Sequence, residues 1–184
     1  MDEKEAIARL QQGDLEGLHF LVERFQALAV HSAYLIVGDM PLAEDIAQAA
    51  FLKAARKVDQ FDSRRPFRPW FMKIVVNDSI KAAKRQRKSV SLDGPEDEAL
   101  TAWLLDESPR PEELVEAHEL HQRVWTALQR LPAEQRAVIV QRHFLEMDEA
   151  EMVDQLHVPA STVKWWLHVA RKNLRAFLEG DNHE

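Results

Sequence analysis

The apolar residues of this chain recur at the spacing of an α-helix and almost nowhere at the alternating spacing of a β-strand. After Asp14 the i, i+3, i+4 pattern is carried by Leu18, Leu21, Val22, Phe25, Leu28 and Ala29. About half of the residues are apolar, yet there are only five glycines and one tyrosine. This pattern predicts an ordered, all-α fold.

Glycine and proline mark where the predicted helices of the first half begin and end. Gly13-Asp14 and the run Gly38-Asp39-Met40-Pro41 combine a helix stop with a cap or first turn for the next helix. The predicted helices run from Glu3 to about Leu10, from Asp14 to Val37, from Pro41 to about Val58, and onward from about Trp70. The prolines between Asp59 and Pro69 predict a loop there.

Positive charge is concentrated in one segment of an otherwise acidic chain. Residues 53–88 hold twelve Lys or Arg against three acids, a net of +9, whereas the whole chain has a net charge of −7. Aromatic residues are interleaved with these cations, as suits a phosphate backbone with exposed bases. The alternative is an ordinary solvated helix face whose Lys and Arg stems cover apolar surface.

The following stretch reverses the charge and predicts a domain boundary. Residues 93–119 contain ten acids and one Arg, a net of −9, together with one glycine and three prolines up to residue 111. We therefore predict domains at 1–90 and 112–184 with an acidic linker at 91–111. Within it, the apolar patch Leu100, Trp103, Leu104 and Leu105 is typical of a short helix packed on its own protein.

The second half ends in a pattern typical of a helix-turn-helix. One helix ends before Pro132, another runs from Ala133 to about Phe144, and Asp148 with Glu151 resembles a capping box that begins a short third helix. After the turn at residues 157–159, a last helix is predicted from Ala160 to Leu178. Its apolar arc opposes a polar, basic face that suits a DNA major groove.

Several function classes are disfavoured by what the sequence lacks. The absence of cysteine removes disulfides, thiolate nucleophiles and cysteine metal sites, and no Gly-rich phosphate loop is present. The spacing of His118 and His121 is metal-like, but no third ligand is evident. No catalytic, metal or cofactor site is predicted. The charged N-terminus lacks a signal-peptide core and no run approaches the length of a membrane span, which indicates a cytoplasmic protein without membrane insertion.

These residues, taken in order, resemble the small two-domain sigma factors of bacterial RNA polymerase, the extracytoplasmic-function (ECF) group. In the first half the resemblance is carried by Gly13-Asp14, by residues 43–53 (AEDIAQAAFLK), and by residues 66–74 (PFRPWFMKI) with Asn77. In the second half it is carried by residues 131–136 (LPAEQR), 149–156 and 161–171. The match covers nearly the whole length, so the resemblance implies a region 2-like helical bundle and a region 4-like helix-turn-helix.

The resemblance also implies a division of labour among named residues. Core RNA polymerase would be bound at its β′ clamp helices and β flap, with Glu44, Asp45, Gln48 and Phe51 on the docking face. The minus-ten promoter element would be opened by Phe61, Arg64, Arg65, Phe67, Arg68, Trp70, Lys73, Asn77, Lys81 and Lys84. The minus-thirty-five element would be read by Ser161, Thr162, Lys164, Trp165, His168, Arg171 and Lys172. Family members usually also bind an anti-sigma factor.

Some positions of the helix-turn-helix depart from the family pattern. His157 stands where a turn glycine is usual, Pro159 where a serine is usual, and Trp165-Trp166 where a small and basic pair is usual. These departures indicate either an altered promoter preference or weak reading of DNA by this domain. Two other hypotheses remain at this point: a helix-turn-helix regulator that acts without polymerase, and a sigma-like module that binds only protein.

Overall fold

The structure, a computed structural model, describes residues 1–89 and 111–180, with side chains described for 1–87 and 119–180. These residues form eight α-helices, one short 3-10 turn and no strand, which confirms the all-α prediction. The predicted domain limits stay a prediction. The apolar patch at Leu100 to Leu105 lies outside the described residues, as do the side chains at 88–118.

The first half contains four helices whose ends follow the local sequence signals. They are α1 (Glu3–Gln11), α2 (Leu15–Val37), α3 (Met40–Lys57) and α4 (Phe67–Ser89), with the 3-10 turn at Val58–Gln60. Asp14 accepts a hydrogen bond from the Glu16 amide at 3.0 Å and so caps α2. Gly38 adopts a left-handed conformation with φ of 78° and ends α2. The predicted caps and stop are thus confirmed.

The start of α4 corrects the predicted loop. The helix begins at Phe67, not near Trp70, and therefore includes Pro69 in its first turn. Proline is tolerated there because the first amides of a helix have no intrahelical acceptor. Glu3 supplies one of the missing acceptors, since its Oε1 lies 3.2 Å from the Phe67 amide nitrogen.

The second half adds α5 (Pro111–Gln129), α6 (Ala133–His143), α7 (Glu149–Leu156) and α8 (Ala160–Gly180). The capping box is confirmed, because Asp148 accepts from the Glu151 amide and Glu151 accepts from the Asp148 amide, each at 2.8 Å. His157 then takes a left-handed conformation with φ of 54°, in place of the usual glycine.

The two halves pack against each other through a core cluster that includes residues of both. Helix α2 contacts α5 and α6, and α4 contacts α6 and α7. The rings of Tyr34 and Trp125 stack at 4.5 Å between centroids, and the rings of His31 and Phe144 meet edge to face at 6.3 Å. Gln129 Nε2 also donates to the Leu35 carbonyl oxygen at 3.2 Å. Sequence patterns gave no indication of this packing.

Helix α2 is both long and apolar. By length and composition alone, α2 could cross a membrane, with a mean hydropathy of 1.3 over its most apolar window. That corrects the expectation that no run approaches such a length. The helix is apolar because it packs in the core, where Leu21, Phe25 and Ile36 are buried.

Candidate nucleic-acid and polymerase interfaces

A groove of about 760 Å³ lies between the loop at 61–66, the start of α4 and helix α7. We call it the strand cleft. Trp70 is half-buried on its wall, Arg65 is exposed at its edge, and the Lys73 side chain keeps 27% of its surface exposed. An aromatic face beside cations and an amide is the combination that stacks and hydrogen-bonds an unpaired base.

The burial of Phe67 beneath the strand cleft shows that one predicted DNA contact is wrong. Phe67 is 1% exposed, and its ring packs on Phe71 and Phe25 at 5.6 Å between centroids. It therefore belongs to the core and supports Trp70, whose ring is 5.5 Å away. Phe61 is also buried, at 5% exposure, but its edge lines the cleft and its ring lies 5.0 Å from Trp70.

Several of the cations predicted to contact minus-ten DNA are exposed, and one of them, Arg65, lines the cleft. Arg64, Arg65 and Lys81 are all exposed. Arg64 holds Asp62 with two hydrogen bonds, from Nε at 2.8 Å and from NH2 at 2.9 Å. The Arg64 guanidinium thereby lowers the pKa of the Asp62 carboxyl, and the Arg64 amide adds to the effect.

Four of the residues predicted to contact minus-ten DNA are instead bonded to the second half of the chain. Lys73 Nζ donates to the Asp154 carbonyl oxygen at 2.9 Å, and Asn77 Nδ2 donates to the Gln155 carbonyl oxygen at 3.4 Å. Arg68 reaches the Leu145 carbonyl oxygen at 3.5 Å, and Lys84 forms an ion pair with Glu134. Sequence reasoning missed these partners, because three of the four acceptors are main-chain carbonyls, which every residue type provides.

The predicted polymerase-docking face borders a second groove, of about 550 Å³, between α2 and α3. Glu44, Asp45 and Gln48 are exposed there, as expected, while Phe51 is 5% exposed and belongs to the core. The ring of Phe51 stacks on Phe71 at 4.4 Å between centroids, and Phe51 also lines this groove.

The same groove contains one exposed leucine, Leu52, that sequence reasoning missed, beside the half-buried Leu18 and Val22. Leu18, Val22 and Leu52 line it, and Leu52 is 55% exposed. Leu52 was detectable in principle, because it falls outside the arc of α3 that holds Ile46, Ala50 and Ala54. An exposed leucine beside carboxylates suits a partner surface that is both apolar and cationic.

The basic face of α8 is exposed along its length. Val163, Leu167 and Ala170 anchor the helix in the core, which turns the opposite face outward. On that face Lys164, Trp165, His168, Arg171 and Lys172 are exposed, as is Ser161, whereas Thr162 is half-buried. Trp165 keeps 57% of its surface exposed, so its ring is available to a partner.

Two cations of opposite halves lie close together where α4 meets α6. Arg136 is 8% exposed and donates to the Leu131 carbonyl oxygen at 3.1 Å. Burial and then the charge of Arg87 lower the pKa of Arg136 to about 10.

No metal-binding cluster of three or more ligands occurs among the described residues. His118 lies outside the described side chains, and His121 is half-buried on α5.

The chain matches two family models, Sigma-70 region 2 over residues 21–89 and Sigma-70 region 4 over residues 121–174. It is 29% identical to the ECF RNA polymerase sigma factor SigW of Bacillus subtilis over 176 residues, 94% of each chain. It is 31% identical to the ECF RNA polymerase sigma-E factor of Escherichia coli K12 over 172 residues, 90% of this chain and 88% of that one.

Two solved structures share the fold. The structure of CnrH in complex with the cytosolic domain of CnrY aligns with 98% of this chain at a TM-score of 0.67 and 23% identity, covering 99% of that chain. The sigma factor RpoE in complex with the anti-sigma factor NepR from Bartonella quintana aligns with 88% of this chain at a TM-score of 0.66 and 18% identity, covering 96% of that chain.

Fold, surface and relatives together define a sigma-70-type transcription factor, and the chain belongs to the ECF group of RNA polymerase sigma factors. It directs promoter-specific initiation of transcription, and the rival interpretations as a polymerase-independent regulator or a purely protein-binding module are not favoured. Members of this family are transcription regulators.

Proposed function

We propose that the strand cleft holds an unpaired base of the minus-ten element while the promoter opens. The observation that carries this is the placement of Lys73 with the half-buried ring of Trp70 in the lining of the cleft, with Asn77 about one turn further along α4. A ring offers a stacking surface, an ammonium offers a phosphate contact, and an amide offers both a donor and an acceptor to a base edge. The exposed cations Arg65 and Lys81 extend the positive potential along the strand.

Strand opening tests this role directly. We expect Lys73→Ala and Asn77→Ala to reduce the fraction of promoter opened by polymerase by roughly tenfold, the scale of one lost specific contact of 1–3 kcal/mol. Permanganate reactivity of thymines in the minus-ten element measures opening, and competition for core enzyme measures polymerase binding. Lys4→Ala, an exposed lysine on α1, is the matched control. Wild-type opening by both variants would remove these residues from the mechanism.

We further propose that Glu44, Asp45 and Gln48 dock on the β′ clamp helices of core polymerase. The adjoining groove with Leu18 and Leu52 adds apolar area to this face, while the carboxylates provide complementarity to basic residues. Asp45→Ala should weaken competition for core polymerase without changing DNA contacts. Unchanged competition would exclude this face.

The basic face of α8 is proposed to read the minus-thirty-five element in the major groove. Ser161, Thr162, Lys164 and His168 occupy its N-terminal turns, where a recognition helix contacts base edges, and Arg171 and Lys172 are placed for phosphates. The exposed ring of Trp165 adds an apolar contact of the kind that a thymine methyl accepts. Contact with the β flap completes the proposed role of this half.

The chain is proposed to work in the cytoplasm, without catalytic activity of its own, under the control of an anti-sigma factor. Support for this partner comes from the similar fold of RpoE, which was solved in complex with the anti-sigma factor NepR. Co-purification of a protein that blocks run-off transcription by this chain with core polymerase would test it.

A further inference from the structure

Helix α1 holds both ends of the loop that borders the strand cleft, although none of the described residues that line the cleft belongs to α1. This loop, residues 58–66, includes the 3-10 turn and connects α3 to α4. Gln11 Nε2 donates to the Val58 carbonyl oxygen at 3.1 Å, and Glu3 Oε1 accepts from the Phe67 amide at 3.2 Å. We call these two bonds the α1 tether. They join residues 47 and 64 positions apart in the chain.

The Glu3 end of the α1 tether completes a helix start that the local sequence leaves uncapped. Within residues 66–69 only Phe67 and Arg68 have an amide hydrogen, because the other two residues are prolines. The first amides of a helix lack an intrahelical acceptor, and the helix dipole also favours a carboxylate there. Arg24 Nε lies 3.6 Å from Glu3 Oε2, which leaves Oε1 for the Phe67 amide. One carboxylate therefore binds the start of α4 and a cation of α2.

The Gln11 end of the α1 tether fixes the turn from which the loop begins. The Val58 carbonyl oxygen also accepts from the Phe61 amide at 3.0 Å, so two donors hold the same oxygen. Phe61 directly follows this turn, and its ring lies 5.0 Å from the ring of Trp70. A displaced turn would therefore move the ring that packs against the stacking surface of the cleft.

Helix α1 is itself held in the core, so the two bonds have a fixed origin. Ala6, Ile7 and Leu10 are buried, and Gly17 lets α1 approach α2 closely, since a Cβ there would overlap the Ala6 carbonyl oxygen. The middle of the loop is different, because residues 63–66 are all exposed. A loop with an exposed middle depends on its ends for its conformation.

We propose that α1 is a positioning element of the strand cleft: Glu3 and Gln11 hold the loop in the conformation that receives an unpaired minus-ten base, without touching DNA themselves. This rests on the proposed role of the strand cleft and adds the residues that fix its shape. A loop released at one end must be ordered again whenever a base enters, so binding weakens. A less defined pocket also discriminates less between bases.

The first variants separate the bond to the Phe67 amide from the ion pair with Arg24. Glu3→Ala removes both, whereas Glu3→Gln keeps an acceptor oxygen for the amide and removes only the charge. Glu5→Ala is the matched control, since Glu5 lies on the same helix with 52% of its side chain exposed. Each chain is assembled with core polymerase. Binding is measured by fluorescence anisotropy of a labelled single-stranded oligonucleotide that carries the minus-ten sequence of a promoter which this holoenzyme transcribes.

We expect Glu3→Ala to weaken this binding by roughly tenfold, the scale of one lost hydrogen bond to a charged group. Glu3→Gln should bind close to wild type, and Glu5→Ala should differ from it by less than about twofold. The decisive measurement is the ratio of affinities for oligonucleotides that differ only at the extruded base. A merely structural defect lowers the active fraction equally for every oligonucleotide and leaves this ratio unchanged, whereas a displaced loop lowers the ratio.

Gln11→Ala tests the other end of the α1 tether. It should weaken binding by roughly threefold, the scale of one neutral hydrogen bond, and it should lower the same ratio. Gln12→Ala, at an exposed neighbouring position, is the control. Because Gln11 is itself exposed, this variant keeps the test decisive if circular dichroism shows that Glu3→Ala does not fold.

Unchanged affinity ratios in the folded Glu3→Ala and Gln11→Ala chains would overturn the proposal. A Glu3→Gln chain as defective as Glu3→Ala would also overturn it, because the effect would then belong to the ion pair with Arg24. Lys73→Ala in the same assay separates the two levels. If Lys73→Ala binds like wild type, the proposed role of the strand cleft fails. If Lys73→Ala is impaired while both tether variants are not, only the positioning role of α1 fails.

Discussion

Single residues at the boundary of the two halves have environments that their sequence neighbours do not reveal. Phe67 lies between two prolines of a basic loop, which favours an exposed ring, but Phe25 on α2 covers it. Lys73 and Asn77 were predicted to contact DNA, and in the structure both donate to main-chain carbonyls of α7. Residue type predicted the chemistry of these side chains, and tertiary packing decided which partner they have.

His31 links the packing of the halves to pH. Burial lowers the pKa of His31 below its usual 6.5. Because the unfolded or opened chain then binds a proton more readily, the contact between the halves is stable above about pH 6.5 and weakens as pH falls below it. Because the chain has no cysteine, Glu16→Cys on α2 and Ala176→Cys on α8 allow one fluorescent label on each half, and energy transfer between them should fall as the pH is lowered from 8 to 5.

The histidine variants identify the group responsible. His31→Gln should flatten this pH dependence, whereas His19→Gln, an exposed histidine on the same helix, should leave it unchanged. An equal response from wild type and His31→Gln would assign the effect to another group.

Gly17 is required by the close approach of α1 to α2. A Cβ at this position would overlap the Ala6 carbonyl oxygen and lie 2.8 Å from the Leu10 amide nitrogen. We expect Gly17→Ala to lower the free energy of unfolding by about 1–3 kcal/mol, as overpacking usually does. Urea unfolding measures this, and Gly180→Ala, which meets open space, is the control. Equal stability of the two variants would contradict the overlap.

At the scale of the element, the helices followed their local signals closely. Asp14, Gly38 and the pair Asp148 and Glu151 each act through bonds within a few residues, so their caps were predictable from sequence. The start of α4 was less predictable, because Glu3, distant in sequence, caps the Phe67 amide. Local chemistry thus defines most helix ends, and long-range contacts define the remainder.

The backbone of His157 is strained at the end of α7, and a substitution can remove this strain. A left-handed conformation costs a residue with a Cβ about 1–2 kcal/mol, and glycine avoids that cost. We expect His157→Gly to raise the free energy of unfolding by about 0.5–1 kcal/mol, since the greater freedom of glycine in the unfolded chain offsets part of the gain. His157→Ala retains the strain and serves as the comparison in thermal unfolding. A stabilising alanine would show that the histidine ring, and not its backbone, is unfavourable.

At the scale of the whole molecule, the polymerase-docking face and the basic face of α8 are exposed. Four of the predicted minus-ten contacts on α4 are instead bonded to the second half of the chain. The sequence predicted all three surfaces through charge segregation and family resemblance, and these stay predictions, but it gave no information on how the halves pack. That packing depends on shape and on main-chain acceptors, which composition does not encode.

The exposed side chain of Leu52, beside the polymerase-docking face, provides a test at this scale. Leu52→Lys should weaken binding to core polymerase by roughly tenfold, because it places a charge in an apolar groove at a proposed interface. Leu15→Lys is the matched control, since Leu15 is 70% exposed but does not line the groove. Competition against a labelled sigma factor measures both variants. Equal binding by the two would place the polymerase contact elsewhere.

The aromatic contacts that join the two halves have a thermal consequence. Rings such as Tyr34 on Trp125 and His31 on Phe144 bury apolar surface, and such burial carries a negative heat capacity. Cooling weakens an association of this kind. The population of separated halves should therefore rise towards low temperature as well as on strong heating, which would make the readiness of this factor to engage a promoter depend on the growth conditions of the cell.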